Sequence, residues 1–478
     1  MTIKRYFAEA DNTITNAFQQ NLTLRGTGSN MGASDILEVF SIYGQATTSS
    51  SELSRVLLQF DVTQISSDRS SGEIPASGGV SFYLKLYNAR HTRTVPRDFS
   101  ITVSAISASW QEGAGLDMEN YTDKTFSITG SNWINRSGST AWTTAGGDYH
   151  ASPTFQAKFQ NGREDMEVNV TSLVEQWLAG TKNNYGFGIK LTDATEAMAK
   201  SFYTKKFFGR NSEFYFKRPV LEARWNGAIK DDRGYFYASS SLAPPGDNIN
   251  TIYLYNVIRG RLRNIPAVGD GAVYVDLYDT TGSSHGAKSL CINTPATGGI
   301  HSTGIYSASV CINTTASVLY DVWHNGAGTQ YHTGTIKIKR FEAEDYSPNT
   351  KYILSISNMK QYYHTSEVAR FRLYARPRNW SPTIYTVASS VPETTIIPSG
   401  AFEIKRVTDN LKVIPFGTGS DLHTGLSYDV SGNYFDLDLS MLEGGYSYGI
   451  KFAFYDDIRS SWQCQPYEFK FKVRQDEY

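Results

Sequence analysis

Short apolar runs with a two-residue period dominate this sequence, and that period constrains the fold more than any other feature. "SRVLLQFDV" (54–62) and "VSFYLKLYNA" (80–89) read as core strands, and "FSITVSAIS" (99–107) alternates Ile101, Val103 and Ala105. Such alternation puts every second side chain on one face of a sheet. Gly, Ser, Thr and Asn fill the gaps and supply the turns. Aromatic residues make up 13% of the chain, with 31 Tyr and 25 Phe, against 19% charged residues. That balance suits twisted antiparallel sheets, where aromatic and β-branched side chains pack best.

One stretch breaks the period. In "EVNVTSLVEQWLAGTKNNYGFGIKL" (167–191), Val170, Leu173, Val174, Trp177 and Leu178 recur at helical spacing. Ser172 and Glu175 fit a capping box, and Gly180 fits the residue after the helix end. The apolar stripe predicts that Trp177 is buried. Phe187, Ile189 and Leu191 then resume the strand period.

The 478 residues divide into three β-rich blocks. Residues 1–227 end in "RPVLEARWN", an edge-compatible strand after Pro219. Residues 228–346 follow the "APPGDN" turn signal with six strand-like runs, and residues 347–478 hold seven more. Tyr446 and Tyr448 stand where a sandwich places its tyrosine corner. The expected fold class is all-β: an N-terminal jelly-roll-like β-sandwich with one short helix, then two Ig-like β-sandwich domains.

No run reaches the 18 or so apolar residues of a membrane span, so no membrane partner is expected. A net charge of −1 supplies no global field for nucleic acid. The N-terminus lacks the apolar segment of a secretory signal, which points to folding in a cytoplasm. Three cysteines make no disulfide framework. Cys291 and Cys311, in the echo "SLCIN" and "SVCIN", read as buried thiols, with a bridge or a metal site as the alternative.

The search for chemistry gives little. No metalloprotease helix, phosphate loop or nucleophile elbow occurs. His324 and His332 read as structural or solvated rather than as a metal pair. Glycan hydrolysis needs two facing acids. The acids weighed for it are "EAEDY" (342–346), "KDD" (230–232) and Glu112 with Asp117; each reads as a solvated turn. In "GGDYH" (146–150), Asp148 and His150 read as a hydrogen-bonded loop, with cation binding as the alternative. No catalytic residue, metal or cofactor is expected. Trp133 and Trp142, in "GSNWINRSGSTAW", are the candidate sugar-stacking residues, against packing of the sandwich end. Trp110, Trp177 and Phe60 are expected in the core. "NVIRGRLRN" (256–264) and "YARPRNW" (374–380) are the basic segments, which make Arg259, Arg261, Arg263, Arg376 and Arg378 candidate interface residues.

Together, the order and spacing of several motifs in 1–227 resemble a DNRLRE domain, a jelly-roll-like sandwich related to some carbohydrate-binding modules. These are "ADNTI" (10–14), "SNMGASDILEV" (29–39), Arg55 with Phe60 and Asp61, "SASWQEGAG" (107–115) with Trp110, Glu112 and Gly113, the paired-Trp loop ending in Gly-Gly-Asp-Tyr, the tryptophan helix and "FKRPVLEARW". The long form, with "MGASDILEVFSIYG", is similar to virion structural proteins of contractile-tailed marine bacteriophages. "ARFRLYARPRNW", "KVIPFGTG" and "YEFKFKV" resemble their C-terminal sandwich. The resemblance implies a non-enzymatic virion protein assembled in the host cytoplasm, at the neck, tail or baseplate periphery. It would be oligomeric in the particle, with other virion proteins as partners. The alternative is a glycan-binding adhesion or receptor-recognition module, with a glycan as partner; a polysaccharide-degrading enzyme ranks third.

Overall fold

The computed structural model describes residues 2–91, 95–116, 130–280, 296–339, 350–380, 384 and 394–475. Among these the chain is all-β: a jelly-roll-like sandwich, then two Ig-like β-sandwiches. It divides into two compact units, residues 2–225 and 226–478.

In the first unit, one sheet runs in the order Ile3–Phe7, Val220–Arg224, Ser81–Leu86, Met166–Asn169. The other runs Phe202–Phe208, Ile36–Tyr43, Ser51–Gln59, Phe187–Leu191, Phe99–Ile106, Tyr149–Phe159, with Ala10–Thr15 also paired to Ser51–Gln59. Val220–Arg224 is therefore an interior strand, not an edge. Pro219 just precedes it and leaves every ladder donor intact. Strand Ser51–Gln59 explains its continuous apolar run by burial on both faces. Val56 and Leu58 enter the main core, while Leu57 enters a second core with Ile14, Ile106, Trp110, Trp133 and Trp142.

The tryptophan helix is Thr171–Leu178. Its capping box does not form: Ser172 lies inside the helix, and no side chain caps at Val170. Asn169 instead accepts from the Thr171 N–H at 3.0 Å. Gly180 does follow the helix end, at φ +70°. Two further α-helices were not legible, Val62–Ser70 and Asp193–Glu196. The first opens where a strand was expected to continue, because Asp61 accepts from the Thr63 N–H at 2.8 Å and caps it. It is polar, burying only Ile65 and Asp68, so it has no stripe to read.

In the second unit, seven strands form one path: Phe236–Tyr237, Gln330–Lys339, Val318–His324, Val273–Tyr278, Ala296–Ser302, Ile305–Val310, Asn250–Tyr255. The path folds over a core that includes Phe236, Ile252, Tyr306 and Trp323. Its two ends meet through Asn250, whose amide accepts from the Tyr237 N–H at 3.0 Å and donates to its carbonyl at 2.9 Å.

The last sandwich has two sheets, ordered Tyr352–Ile356, Val368–Pro377, Gly432–Asp438, Ser427–Asp429 and Tyr362–His364, Phe469–Arg474, Ser447–Asp456, Gly400–Arg406, Lys412–Ile414. Strand Ser461–Cys464 also pairs with Ser447–Asp456. Stacked rings fill the space between the sheets, with Phe435 at 4.1 Å from Phe402 and 5.1 Å from Phe371. Tyr448 is the tyrosine corner: buried, it donates its hydroxyl to the Glu443 carbonyl at 2.8 Å. Tyr446 instead packs its ring against Arg406. Tyr448→Phe is expected to cost about 1 kcal/mol of stability in urea unfolding, the net worth of one hydrogen bond. An unchanged unfolding midpoint would remove the corner's structural role.

The edge strand Ser427–Asp429 is covered by the chain entering the unit. The Tyr428 N–H donates to the Ile229 carbonyl at 2.9 Å, and the Tyr428 carbonyl accepts from the Asp231 N–H at 3.0 Å. The Tyr428 hydroxyl donates to Asp232 at 2.7 Å, and the same carboxylate accepts from the Thr251 N–H at 2.6 Å. Main-chain pairing of this kind closes an edge that would otherwise invite foreign strands.

Candidate interaction surface

The sugar-stacking reading of Trp133 and Trp142 fails on burial. The two side chains are 7% and 5% exposed, packed with Trp110 on the outer face of the larger sheet. Arg55 lies over the Trp133 ring at 5.1 Å and also pairs with Glu196 at 2.7 Å. Indole nitrogens donate inward, Trp142 to the Asn132 carbonyl at 2.9 Å and Trp110 to the Tyr185 carbonyl at 2.8 Å. No ring face is left for a sugar. Phe60, Trp110 and Trp177 are buried.

The described carboxylates among those weighed for hydrolysis serve the fold. Glu112 forms a two-point pair with Arg210 at 2.6 and 2.8 Å and accepts from the Asp11 N–H at 2.9 Å. Asp11 lies behind it, and burial pushes its carboxyl up to about 7. Asp231 is likewise pushed up by burial to about 6 and accepts from the Arg233 N–H. Asp148 accepts from the N–H groups of Thr143 and Thr144 at 2.8 and 2.9 Å, the self-bonded loop the sequence favoured. His150 stands on strand Tyr149–Phe159, its pKa lowered by burial and by Lys182. His324 and His332 lie on neighbouring strands, and His324 faces Asp276 at 3.3 Å. Among the described residues no His, Cys, Asp or Glu cluster suits a metal ion. Asp117, "EAEDY" and Cys291 lie outside the described residues; Cys311 is buried, its sulfur 2.9 Å from the Ser239 hydroxyl.

The five arginines separate into two places. Arg376 and Arg378 lie in the last sandwich, at the end of strand Val368–Pro377 and just past it. Arg376 is half-buried, its guanidinium over the Trp380 ring at 5.2 Å. Arg378 is exposed. Arg259, Arg261 and Arg263 belong to a hairpin of the middle sandwich, strands Val257–Ile258 and Arg261–Leu262. Val257 faces Leu262 and Ile258 faces Arg261.

The hairpin's base is pinned. Asn256 N–H donates to the Gly304 carbonyl at 2.8 Å, and its amide donates to the Arg263 carbonyl at 2.6 Å. Asn264 accepts from the Gly304 N–H at 2.7 Å and donates to Asp270 at 3.0 Å. Everything beyond the base is in water: Val257, Ile258 and Leu262 are 57%, 40% and 41% exposed. All three arginines are exposed, and none makes an ion pair with a described residue. A two-stranded hairpin has no core of its own and is marginal without a surface to lie on.

The turn itself is unusual. Arg259 and Gly260 both have positive φ, +52° and +76°. A two-residue turn of this type favours Asn-Gly. Arginine carries a Cβ penalty there that asparagine largely avoids. Because Arg-Gly is not the usual turn pair, the sequence reading found the charges but not the hairpin.

No protein-family model matches the chain, and no curated protein sequence matches it. The structural neighbours include a marsupial T cell receptor, 9% identical, covering 47% of this chain and 68% of its own, at a TM-score of 0.16. The titin Ig tandem domains A164–A165 are 8% identical, covering 43% and 82%, at 0.15. The adhesin InvE of Yersinia pseudotuberculosis is 12% identical, covering 49% and 61%, at 0.14. Likeness of this size carries no argument about what the chain does.

Proposed function

We propose that this chain is a non-enzymatic structural protein of a bacteriophage virion, at the neck, tail or baseplate periphery, and that it grips a neighbouring virion protein through the hairpin 256–264. The virion setting is supported by the sequence resemblance of the first and last blocks. The gripping role is supported by one observation: a pinned, coreless hairpin that carries three arginines, with no ion pair among the described residues, between exposed Val257, Ile258 and Leu262. Arginine and apolar side chains together are the composition of interface centres. The complementary face is apolar with an acidic rim. Use of the described ones among the weighed carboxylates in ion pairs, turns and strand contacts supports the non-enzymatic part.

Particle composition and two variants test the reading. Purified virions are expected to contain the chain, and cross-linking through 259–263 is expected to capture another virion protein. Arg261→Glu with Arg263→Glu is expected to leave thermal melting unchanged, because the side chains are exposed, and to reduce incorporation at least about tenfold. Arg259→Asn separates binding from folding: it relieves the turn but is expected to weaken incorporation. Virions without the chain would end the virion reading; wild-type incorporation of the charge-reversed variant would end the role of the hairpin.

A further inference from the structure

The last sandwich contains a cleft of about 520 Å³ between the start of strand Tyr352–Ile356 and the Phe454–Tyr467 stretch. We infer that this cleft binds an acidic saccharide, a sugar ring bearing a carboxylate, of up to about disaccharide size. The inference goes beyond the assembly reading and does not depend on it.

Three features carry it. The first is charge. Strand register sets Tyr352 against Pro377, and the Arg378 N–H donates to the Lys351 carbonyl at 2.6 Å. Two cationic residues thus stand side by side on one wall, both exposed, neither ion-paired among the described residues. Like charges opposed across neighbouring strands repel; of the other charged residues in the lining, Asp456 pairs with Arg459 at 3.6 Å and Asp457 is exposed. A carboxylate is the anion whose two oxygens suit an ammonium and a guanidinium together.

The second is ring faces held in place. Tyr352 rests on the edge of buried Phe454 with centroids 5.5 Å apart. Tyr467 stacks on Phe469 at 6.3 Å. Two tyrosines that already have aromatic supports lose little freedom when a flat ligand covers them. Unlike Trp133 and Trp142, they line an open cleft.

The third is hydroxyl recognition. Gln463 and Gln465 each commit one amide hydrogen to the protein, to the Ser461 hydroxyl at 2.9 Å and the Gln463 carbonyl at 3.2 Å. Their remaining amide groups, with the exposed Asp457 carboxylate, supply donors and acceptors for sugar hydroxyls. A bare inorganic anion would use the cations and leave the rings and amides idle; a neutral sugar would leave the cations opposed.

The test uses the full chain and three probes: digalacturonic acid, neutral cellobiose and sodium acetate. Calorimetry is expected to show saturable binding of the diuronate alone. Arg378→Gln and Lys351→Gln, both at exposed positions, are expected to melt like the wild type and to bind about tenfold more weakly, the loss of one charge-assisted hydrogen bond each. No saturation by about 10 mM, equal affinity for cellobiose or acetate, or unchanged affinity in both variants would overturn the inference. Since the binding is measured on the isolated chain, its failure leaves the assembly reading standing, and the reverse holds.

Discussion

Trp177→Ala is expected to destabilise the first unit by about 3–5 kcal/mol, the cost of truncating a large aromatic in a closed core. Trp177 sits 5% exposed on the inner stripe of its helix, with Leu173 and Val174. Its ring meets Phe187 edge-on at 4.8 Å, and Phe187 meets Phe60 at 5.9 Å. One truncation therefore opens a cavity in the core between the helix and the larger sheet, beside Phe187. The helix cannot easily collapse into it. Thr171 accepts from the Phe82 N–H at 2.8 Å, and Glu175 holds Arg69 of helix Val62–Ser70 at 2.7 and 3.0 Å. Trp177→Phe is expected to recover much of the loss, since the indole N–H makes no hydrogen bond in the described structure. Urea unfolding of the full chain measures both. A midpoint that barely moves in Trp177→Ala would remove the helix from the core.

Glu222→Gln is the second large effect. Glu222 is fully buried in the interior strand Val220–Arg224. It accepts from Arg5 at 2.8 Å and Arg224 at 2.7 Å, with the Lys85 ammonium 3.8 Å away. Glu167 shares the load, holding Arg224 at 2.9 and 3.0 Å and Lys85 at 3.4 Å. Neutralising Glu222 leaves three cations facing one carboxylate, an uncompensated burial expected to cost about 3–5 kcal/mol at neutral pH. The pH dependence has a fixed sign. Burial by itself would raise the Glu222 pKa, but Lys85, Arg5 and Arg224 override it and hold the carboxyl well below the usual range. A depressed folded pKa means stability that is present above the unfolded value, about 4.3, and lost as pH falls through the folded one. The gap between wild type and Glu222→Gln is therefore expected to shrink below about pH 4. Urea titrations at several pH values measure it. A pH-independent gap would show that shape, not charge, makes Glu222 matter.

The strand period and the tryptophan stripe were legible because they are local. Whether an apolar side chain recurs at two or at 3.6 residues is written in the chain, and burial of Val56, Leu58, Ile101, Val103 and Trp177 follows from it. The tyrosine corner was legible in part: sequence offered Tyr446 and Tyr448, and the backbone geometry chose Tyr448. Helix Val62–Ser70 was not, because it rests on one cap and two buried residues rather than on a stripe.

Sequence alone determined that this chain forms sheets, with one amphipathic helix among its strands, because side-chain period and turn chemistry act over a few residues. Only the tertiary structure decided which aromatic and charged residues meet water. Trp133 and Trp142 sit in a polar, loop-like sequence yet vanish into a second core, because the outer face of strand Ser51–Gln59 is apolar at Leu57 and must be covered. Arg224 and Glu222 look like surface charges and are buried, and Arg5 is half-buried beside them, because neighbouring strands set them against one another. Arg259, Arg261 and Arg263 have no such partners among the described residues and remain exposed. Exposure is a property of what lies across the sheet, and that neighbour is distant in the chain.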